Sequence, residues 1–279
     1  MALTSLDPLL LSDDPRLAEA IAYVLEKPGK QLRRRLVIAA SELIAGTPVD
    51  GTHTVATAIE WLHVYSLVHD DLPAMDDDDL RRGRPTVHKV YDDATAILVG
   101  DGLQAAAFAA IAGEVAIDAE LRVRIIELVA NAVGFKGMVG GQALDMAGEK
   151  QQVDIVGLRR IHAQKTGALI RAAVLAGALC ADANLSQINA LETYAEKIGL
   201  AFQITDDVLD VTQSSAELGK TAGKDMAANK STYVGLMGLE AASEEAEKLV
   251  SEAISALHIF QDRASELTAL AHQMVRRSN

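Results

Sequence analysis

The chain reads as all-α on three grounds. No stretch alternates apolar and polar residues long enough to make a strand, whereas stripes at helical spacing recur. Hydrophobic residues make up 49% of the 279 and aromatic ones only 4%, so the core must be aliphatic and rich in alanine, which suits closely packed helices. There are six prolines and no long Gly/Ser/Pro linker, which favours one domain over residues 1–279.

The elements follow in order. Asp13-Asp14-Pro15 reads as a cap before a helix from about Arg16 to Glu26, and Lys27-Pro28-Gly29 ends it. Gly29-Lys30-Gln31-Leu32-Arg33-Arg34-Arg35 opens the apolar segment Leu36 to Ala45; if that opening is helical, Lys30 and Arg33 share a face. Thr54 can cap the next helix, whose stripe is Val55, Ile59, Leu62 and Ser66. His63 and Asp70, seven apart, fall on roughly one face of it, and Pro73 disturbs its end so that Asp76 can approach Asp70. Residues 93–113 read as a buried helix in which Gly100 and Gly102 allow close approach, and Leu121 to Val133 as an amphipathic one. Gln142 and Asp145 then share a helical face after Gly140-Gly141. Residues 153–181 form one or two helices carrying His162, Lys165 and Arg171. A lysine in so apolar a helix either snorkels to water or faces an anion. From Leu191 a helix presents Gln203, Asp206, Asp207 and Asp210 along one polar face, with Leu200, Ile204 and Val208 behind. Residues 212–230 are loop-like, with Lys220, Lys224 and Lys230 among Gly219 and Gly223. Helix resumes from Thr232.

The totals narrow the function. A net charge of −13 argues against nucleic acid, whose phosphates need a basic footprint. Small phosphorylated substrates stay open, provided metal ions and local Lys/Arg supply the positive charge. Cys180, the only cysteine, can form no intrachain disulfide and reads as core filler within the apolar run 172–181, which is too short to span a bilayer. The N-terminus has no basic region followed by an apolar core, so the cytoplasm is expected.

The chemistry concentrates at Asp70-Asp71-Leu72-Pro73-Ala74-Met75-Asp76-Asp77-Asp78-Asp79, where six carboxylates fall within ten residues and Arg81-Arg82 follow. Such a run repels itself unless a cation neutralises it, and oxygen ligands suit Mg²⁺. The arginines want an anion, and phosphate oxygens fit the guanidinium fork. Alone, the run also fits a solvated acidic loop. A second cluster, Asp206-Asp207-Val208-Leu209-Asp210, turns the balance, because two carboxylate groups facing each other across a pocket make a metal clamp.

At this point the residues resemble the trans-polyprenyl diphosphate synthases, and the bacterial farnesyl diphosphate synthase branch in particular. Asp70-Asp71-Leu72-Pro73-Ala74-Met75-Asp76 matches that family's first aspartate motif and Asp206-Asp207-Val208-Leu209-Asp210 its second. Arg81-Arg82-Gly83, Gly140-Gly141-Gln142, Lys165-Thr166-Gly167, Gln203, Lys220 and Lys230-Ser231-Thr232-Tyr233 stand in the family order. The resemblance implies an antiparallel helix bundle around a deep central pocket, paired as a homodimer. It implies condensation of isopentenyl diphosphate with an allylic diphosphate, dimethylallyl or geranyl. The six motif aspartates would hold about three Mg²⁺ on the allylic diphosphate. Arg81, Lys165 and Lys220 would contact the same diphosphate, and Lys230 would assist as the 212–230 loop closes. Lys30, Arg33, His63 and Arg82 would hold isopentenyl diphosphate. Gln203 and Thr166 would set dipoles beside the carbocation, and the departing pyrophosphate would take the proton.

Tyr65 and Ser66, about one turn before Asp70, should line the pocket wall below the diphosphate site. An aromatic there resembles the farnesyl (C15) pattern; geranylgeranyl (C20) is the alternative, ahead of a terpene cyclase or a non-catalytic prenyl synthase subunit. The chain departs from the family at Gln31, where an arginine is usual, and at Arg34, where a proline is.

Overall fold

The computed structural model of the protein describes residues 7–47, 49–148, 153–212 and 231–275, and helices dominate them. After a short 3₁₀ turn at Pro8–Leu10 come α1 (Pro15–Leu25), α2 (Leu32–Ala45) and α3 (Thr52–Asp70). A two-residue hairpin, β1 (Leu80–Arg81) with β2 (Arg84–Pro85), leads into α4 (Val87–Val90) and α5 (Asp93–Gly113). The chain continues through α6 (Ala119–Val133), α7 (Met138–Gly148) and α8 (Ile155–His162). A π-helical turn at Ala163–Gly167 joins α8 to α9 (Ala168–Cys180), and α10 runs Leu185–Thr212. Beyond residue 230 stand α11 (Tyr233–Met237), α12 (Leu239–Ala256), a 3₁₀ stretch over Leu257–Ala264 and α13 (Ser265–Val275).

Caps set the starts. The Asp14 carboxylate accepts from Leu17 N at 2.8 Å, Asp92 from Thr95 N at 2.7 Å, Asp118 from Leu121 N at 3.0 Å and Asp154 from Gly157 N at 2.8 Å. Each satisfies an amide that the first turn leaves without a partner. One continuous aliphatic core then forms. α3 packs on α5, α2 on α9 and α10 on α12, and Ala172 to Ala178 of α9 are buried without a break. Cys180 belongs to this core, and burial pushes its thiol up to about 11.

The structure corrects several local expectations. α2 begins only at Leu32, because Gln31 takes a left-handed φ of 46°; Lys30 precedes the helix and shares no face with Arg33. The α3 N-cap is Gly51 at φ 82°, and the Thr54 hydroxyl donates instead to Glu114 Oε2 at 2.5 Å. Gly100 does permit close approach, since a Cβ there would fall 2.0 Å from the His69 ring, but Gly102 has nothing within 4 Å. α5 is not wholly buried: Ile97 and Leu98 are 44% and 55% exposed. It is long and apolar enough to cross a membrane by length and composition, yet its Ala96, Val99, Leu103 and Ile111 are buried against the neighbouring helices, as in a core helix. Past Thr232, which caps α11, the helix is interrupted at Gly238 (φ 86°) and kinked at Gln261 (φ 52°).

Candidate active site

The first aspartate run begins where α3 stops. Pro73 cannot donate, so the chain turns: Asp76 N reaches back to Asp70 O at 2.8 Å, Asp77 N to Leu72 O at 3.1 Å and Asp78 N to Asp71 O at 3.2 Å. These bonds fold the run into a compact loop and bring Asp76 to Asp70 despite the spacing of six. The Asp70 carboxyl is pushed up to about 6, chiefly by burial; Lys165 opposes this, and the charges of Asp76 and Asp71 reinforce it. Burial likewise raises Asp71, while Arg81 pulls it back. Asp71 Oδ1 accepts from Arg81 Nε at 3.0 Å and Nη2 at 2.5 Å, and Asp78 Oδ2 takes a further bond at 3.2 Å. Asp71 and Arg81, expected to serve a metal and a diphosphate, are therefore bonded to each other.

The π-turn supplies the next layer. Its i→i+5 winding pushes Lys165 and Thr166 out of the regular ladder between α8 and α9. Lys165 Nζ donates to Asp145 Oδ2 of α7 at 2.7 Å, and its charge also acts on Asp70. α7 comes this close because Gly141 has no Cβ, which would otherwise sit 2.1 Å from Lys165 N. Gln142, next to it, is buried with neither amide atom hydrogen-bonded. Thr166 Oγ1 donates to Gln203 Oε1 of α10 at 2.7 Å. Lys165, whose charge acts on Asp70, is thus the chain neighbour of Thr166, which is bonded to Gln203 one turn before Asp206 and Asp207.

The second motif sits in the last two turns of α10, with Asp207 and Asp210 buried. Asp207 Oδ2 accepts from Tyr233 N at 2.8 Å, so the start of α11 docks on the motif. Tyr233 also lies against the His162 ring with 5.6 Å between centroids, and Arg159 Nε reaches its hydroxyl at 3.3 Å. Lys220 and Lys230 lie outside the described residues, as does the expected lid beyond Thr212, which is still helical as the last residue of α10.

A second basic group gathers between α2, α3 and the hairpin. Arg33 is buried, and Arg82 Nη1 donates to Lys27 O at 2.7 Å with its guanidinium against Gly29. Burial and then the charges of Arg33, Arg82 and Arg81 hold His63 well below the usual imidazole range, so it is neutral. Burial raises Glu60, with Arg33, Arg34 and Arg82 opposing. Gln31 Oε1 accepts from Arg34 Nη1 at 3.1 Å, so the two departures from the family pattern are partners. Lys30 is exposed at the rim. Behind the arginine pair a cavity of about 50 Å³, lined by Tyr23, Lys27, Leu67 and Val68 among others, has room for one or two waters.

About one turn before Asp70 in α3, Tyr65 is buried with its ring edge-on to His69 at 5.7 Å and beside Gln104 of α5. The Ser66 hydroxyl donates to His63 O of its own helix at 2.9 Å. Sequence reasoning assigned no site role to Asp145 or Asp78, which hold Lys165 and Arg81. The signal for Asp145 was present, in two polar residues spaced i, i+3 on an otherwise apolar helix.

The fold and this arrangement have counterparts. The family model described as polyprenyl synthetase matches residues 14–270. The farnesyl diphosphate synthase of Micrococcus luteus is 44% identical over 94% of this chain and 90% of that protein. Geranylgeranyl pyrophosphate synthase 7, chloroplastic, of Arabidopsis thaliana is 44% identical over 96% of this chain and 78% of that protein. The crystal structure of geranyltransferase from Helicobacter pylori complexed with magnesium and isoprenyl diphosphate superposes with a TM-score of 0.86 at 33% identity, over 98% of this chain and 92% of that one. With the family model spanning nearly the whole chain and both aspartate motifs complete, this chain belongs to the polyprenyl synthetase family, whose members are metal-dependent prenyltransferases.

Proposed function

We propose that this protein joins isopentenyl diphosphate to dimethylallyl or geranyl diphosphate, head to tail, releasing pyrophosphate and ending at farnesyl diphosphate. The observation that carries the reading is the π-turn, whose Lys165 is held by Asp145 with its charge acting on Asp70 of the first motif and whose Thr166 is bonded to Gln203, one turn before the second. The donor set fits Mg²⁺. It is all oxygen, and crowded carboxylates that burial drives toward protonation are stabilised by a divalent cation. Asp70, Asp71, Asp76, Asp206, Asp207 and Asp210 are the residues that would hold about three such ions. When bound, Mg²⁺ neutralises charge on the diphosphate as its C–O bond breaks.

The protein's own groups do the rest. Lys165 stands on Asp145, pre-oriented toward the diphosphate, so little reorganisation is needed as charge grows there. Arg81 is likewise held by Asp71 and Asp78, with Lys220 and Lys230 reserved for the closing segment. Thr166 donates to Gln203, which leaves the hydroxyl's lone pairs for a neighbouring cation without offering a strong nucleophile. Gln142, buried with both amide atoms lacking a bond, has its hydrogen-bonding capacity in reserve for a ligand. Arg33, Arg82, neutral His63 and Lys30 form the second diphosphate site.

Product length rests on Tyr65, which fills the wall of α3 one turn below Asp70. C20 remains the second reading, supported by the geranylgeranyl synthase at the same 44% identity as the farnesyl one. Dimerisation is supported by the outward Ile97 and Leu98 of α5, an apolar surface that a second copy would cover. We place the protein in the cytoplasm.

The test incubates the purified protein with Mg²⁺, isopentenyl diphosphate and dimethylallyl or geranyl diphosphate and separates the hydrolysed products by length. A C15 alcohol is expected, with all turnover lost on chelation and restored by Mg²⁺. A C20 alcohol would retain the prenyltransferase and discard Tyr65 as the stop. Absence of elongation would overturn the reading.

A further inference from the structure

Outside the two aspartate motifs, the described residues hold a cluster of different chemistry. One carboxylate oxygen each from Asp77 and Asp79 and one ring nitrogen of His88 lie within 4.8 Å of one another. The side chain of His88 is 2% exposed, and neither of its nitrogens has a hydrogen-bond partner; Asp93 Oδ1 stands 3.9 Å from Nδ1. Burying an imidazole without satisfying it is costly unless something else supplies a bond. Lys89 supplies the positive charge at present, its Nζ 2.7 Å from Asp79 Oδ1.

We propose that Asp77, Asp79 and His88 form a second metal site, one for a divalent transition cation of the zinc class and distinct from the Mg²⁺ site. The imidazole decides the class. Two carboxylates alone would suit Mg²⁺ or Ca²⁺, whereas adding a nitrogen ligand shifts preference to zinc and its neighbours. Around a tetrahedral Zn²⁺ with bonds near 2.0–2.1 Å, ligand atoms lie about 3.3 Å apart. The cluster must therefore contract by about 1.5 Å at its widest, starting from its 4.8 Å limit. The movable partners allow this, because Asp77 and Asp79 are exposed while His88 is fixed.

The backbone holds the two halves together. Thr86 N donates to Asp79 O at 3.0 Å and Thr86 Oγ1 to Asp78 O at 2.8 Å, tying the aspartate loop to the turn that carries His88. Lys89 acts as the resting cation, in an exposed pair that costs little to open. A bound metal would clamp the loop that follows Asp76 onto α4.

The experiment titrates metal-stripped, full-length protein with Zn²⁺, and with Co²⁺ for its absorption spectrum, in excess Mg²⁺ that saturates oxygen-only sites. One equivalent is expected to bind, with a nitrogen-ligated Co²⁺ band and a higher melting midpoint. His88→Asn and Asp79→Asn should each weaken binding at least tenfold. Asp79 is 75% exposed, so its variant tests the site even if His88→Asn fails to fold. Lys89→Met should tighten binding, which a merely structural role for these residues would not produce. The double variant Asp70→Asn/Asp206→Asn should bind as the wild type does. Loss of binding in that double variant, or unchanged binding in Asp79→Asn, would overturn the proposal.

Discussion

Asp70 shows how far function departs from stability at a single residue. Its carboxyl titrates near 6 in the fold against an ordinary 3.8, so the folded state holds the proton more tightly than the unfolded one. The associated stability is fully present below about pH 4 and lost as the pH rises through 6. Asp70→Asn should therefore stabilise the metal-free protein at pH 7.5, by about 1 kcal/mol once partial exposure is discounted. The gain over wild type should fade toward pH 4, read as the difference between their melting midpoints across that range. The same variant should lose roughly a hundredfold or more in turnover, since charge stabilisation at the diphosphate goes with the carboxylate. Tyr65→Ala is the companion test. It opens a cavity below Asp70, and chromatography of the products should show a shift from C15 toward C20 and longer; an unchanged C15 product would move the stop elsewhere.

At the scale of elements, the π-turn at Ala163–Gly167 is the part on which the site depends most. It aims Lys165 at Asp145 and Thr166 at Gln203, and it fits only because Gly141 lets α7 approach its backbone. Gly141→Ala would place a methyl 2.1 Å from Lys165 N, where the obstacle is backbone and cannot swing aside. A loss of about 1–3 kcal/mol in chemical denaturation is expected, together with a fall in kcat larger than that of a surface alanine substitution. The family resemblance implies a kink at Lys165–Thr166, but periodicity alone did not show this turn. Residues 153–181 read as one or two helices, and an i→i+5 turn only shifts the register of the stripe by one residue, a shift that a segment apolar on nearly every side does not reveal. Helix starts were legible where an aspartate caps them, at Asp14 for instance. They were not where a left-handed backbone decides, as at Gln31 and Gly51, since φ at those positions is set by what the following helix packs on.

Across the whole molecule, α5 joins the site to the surface. It takes the His69 ring at Gly100, behind the first aspartate motif, and presents the side chains of Ile97 and Leu98 to solvent. The imidazole of His69 also contacts Ile97 O at 3.1 Å, so the outward face and the active-site helix share a residue. If a second copy covers that face, Ile97→Glu/Leu98→Glu should convert the protein to a monomer in light scattering, and turnover should fall with it. A wild type that is already monomeric at micromolar concentration would remove this surface from the account.

The all-α class and the order of the two aspartate motifs were readable from the chain alone. Those follow from local facts: apolar spacing, capping aspartates, and two carboxylate clusters whose charge requires a cation. Which groups meet was settled only by packing. Asp145 takes Lys165, Asp71 takes Arg81, Gln31 takes Arg34, and Asp207 takes the amide of Tyr233. The reason is physical. Three of these four pairs join residues from ten to twenty-six positions apart, and only packing a shared core brings such groups within hydrogen-bond distance. Their cost or benefit depends on burial, a property of the assembled helices and not of any one segment.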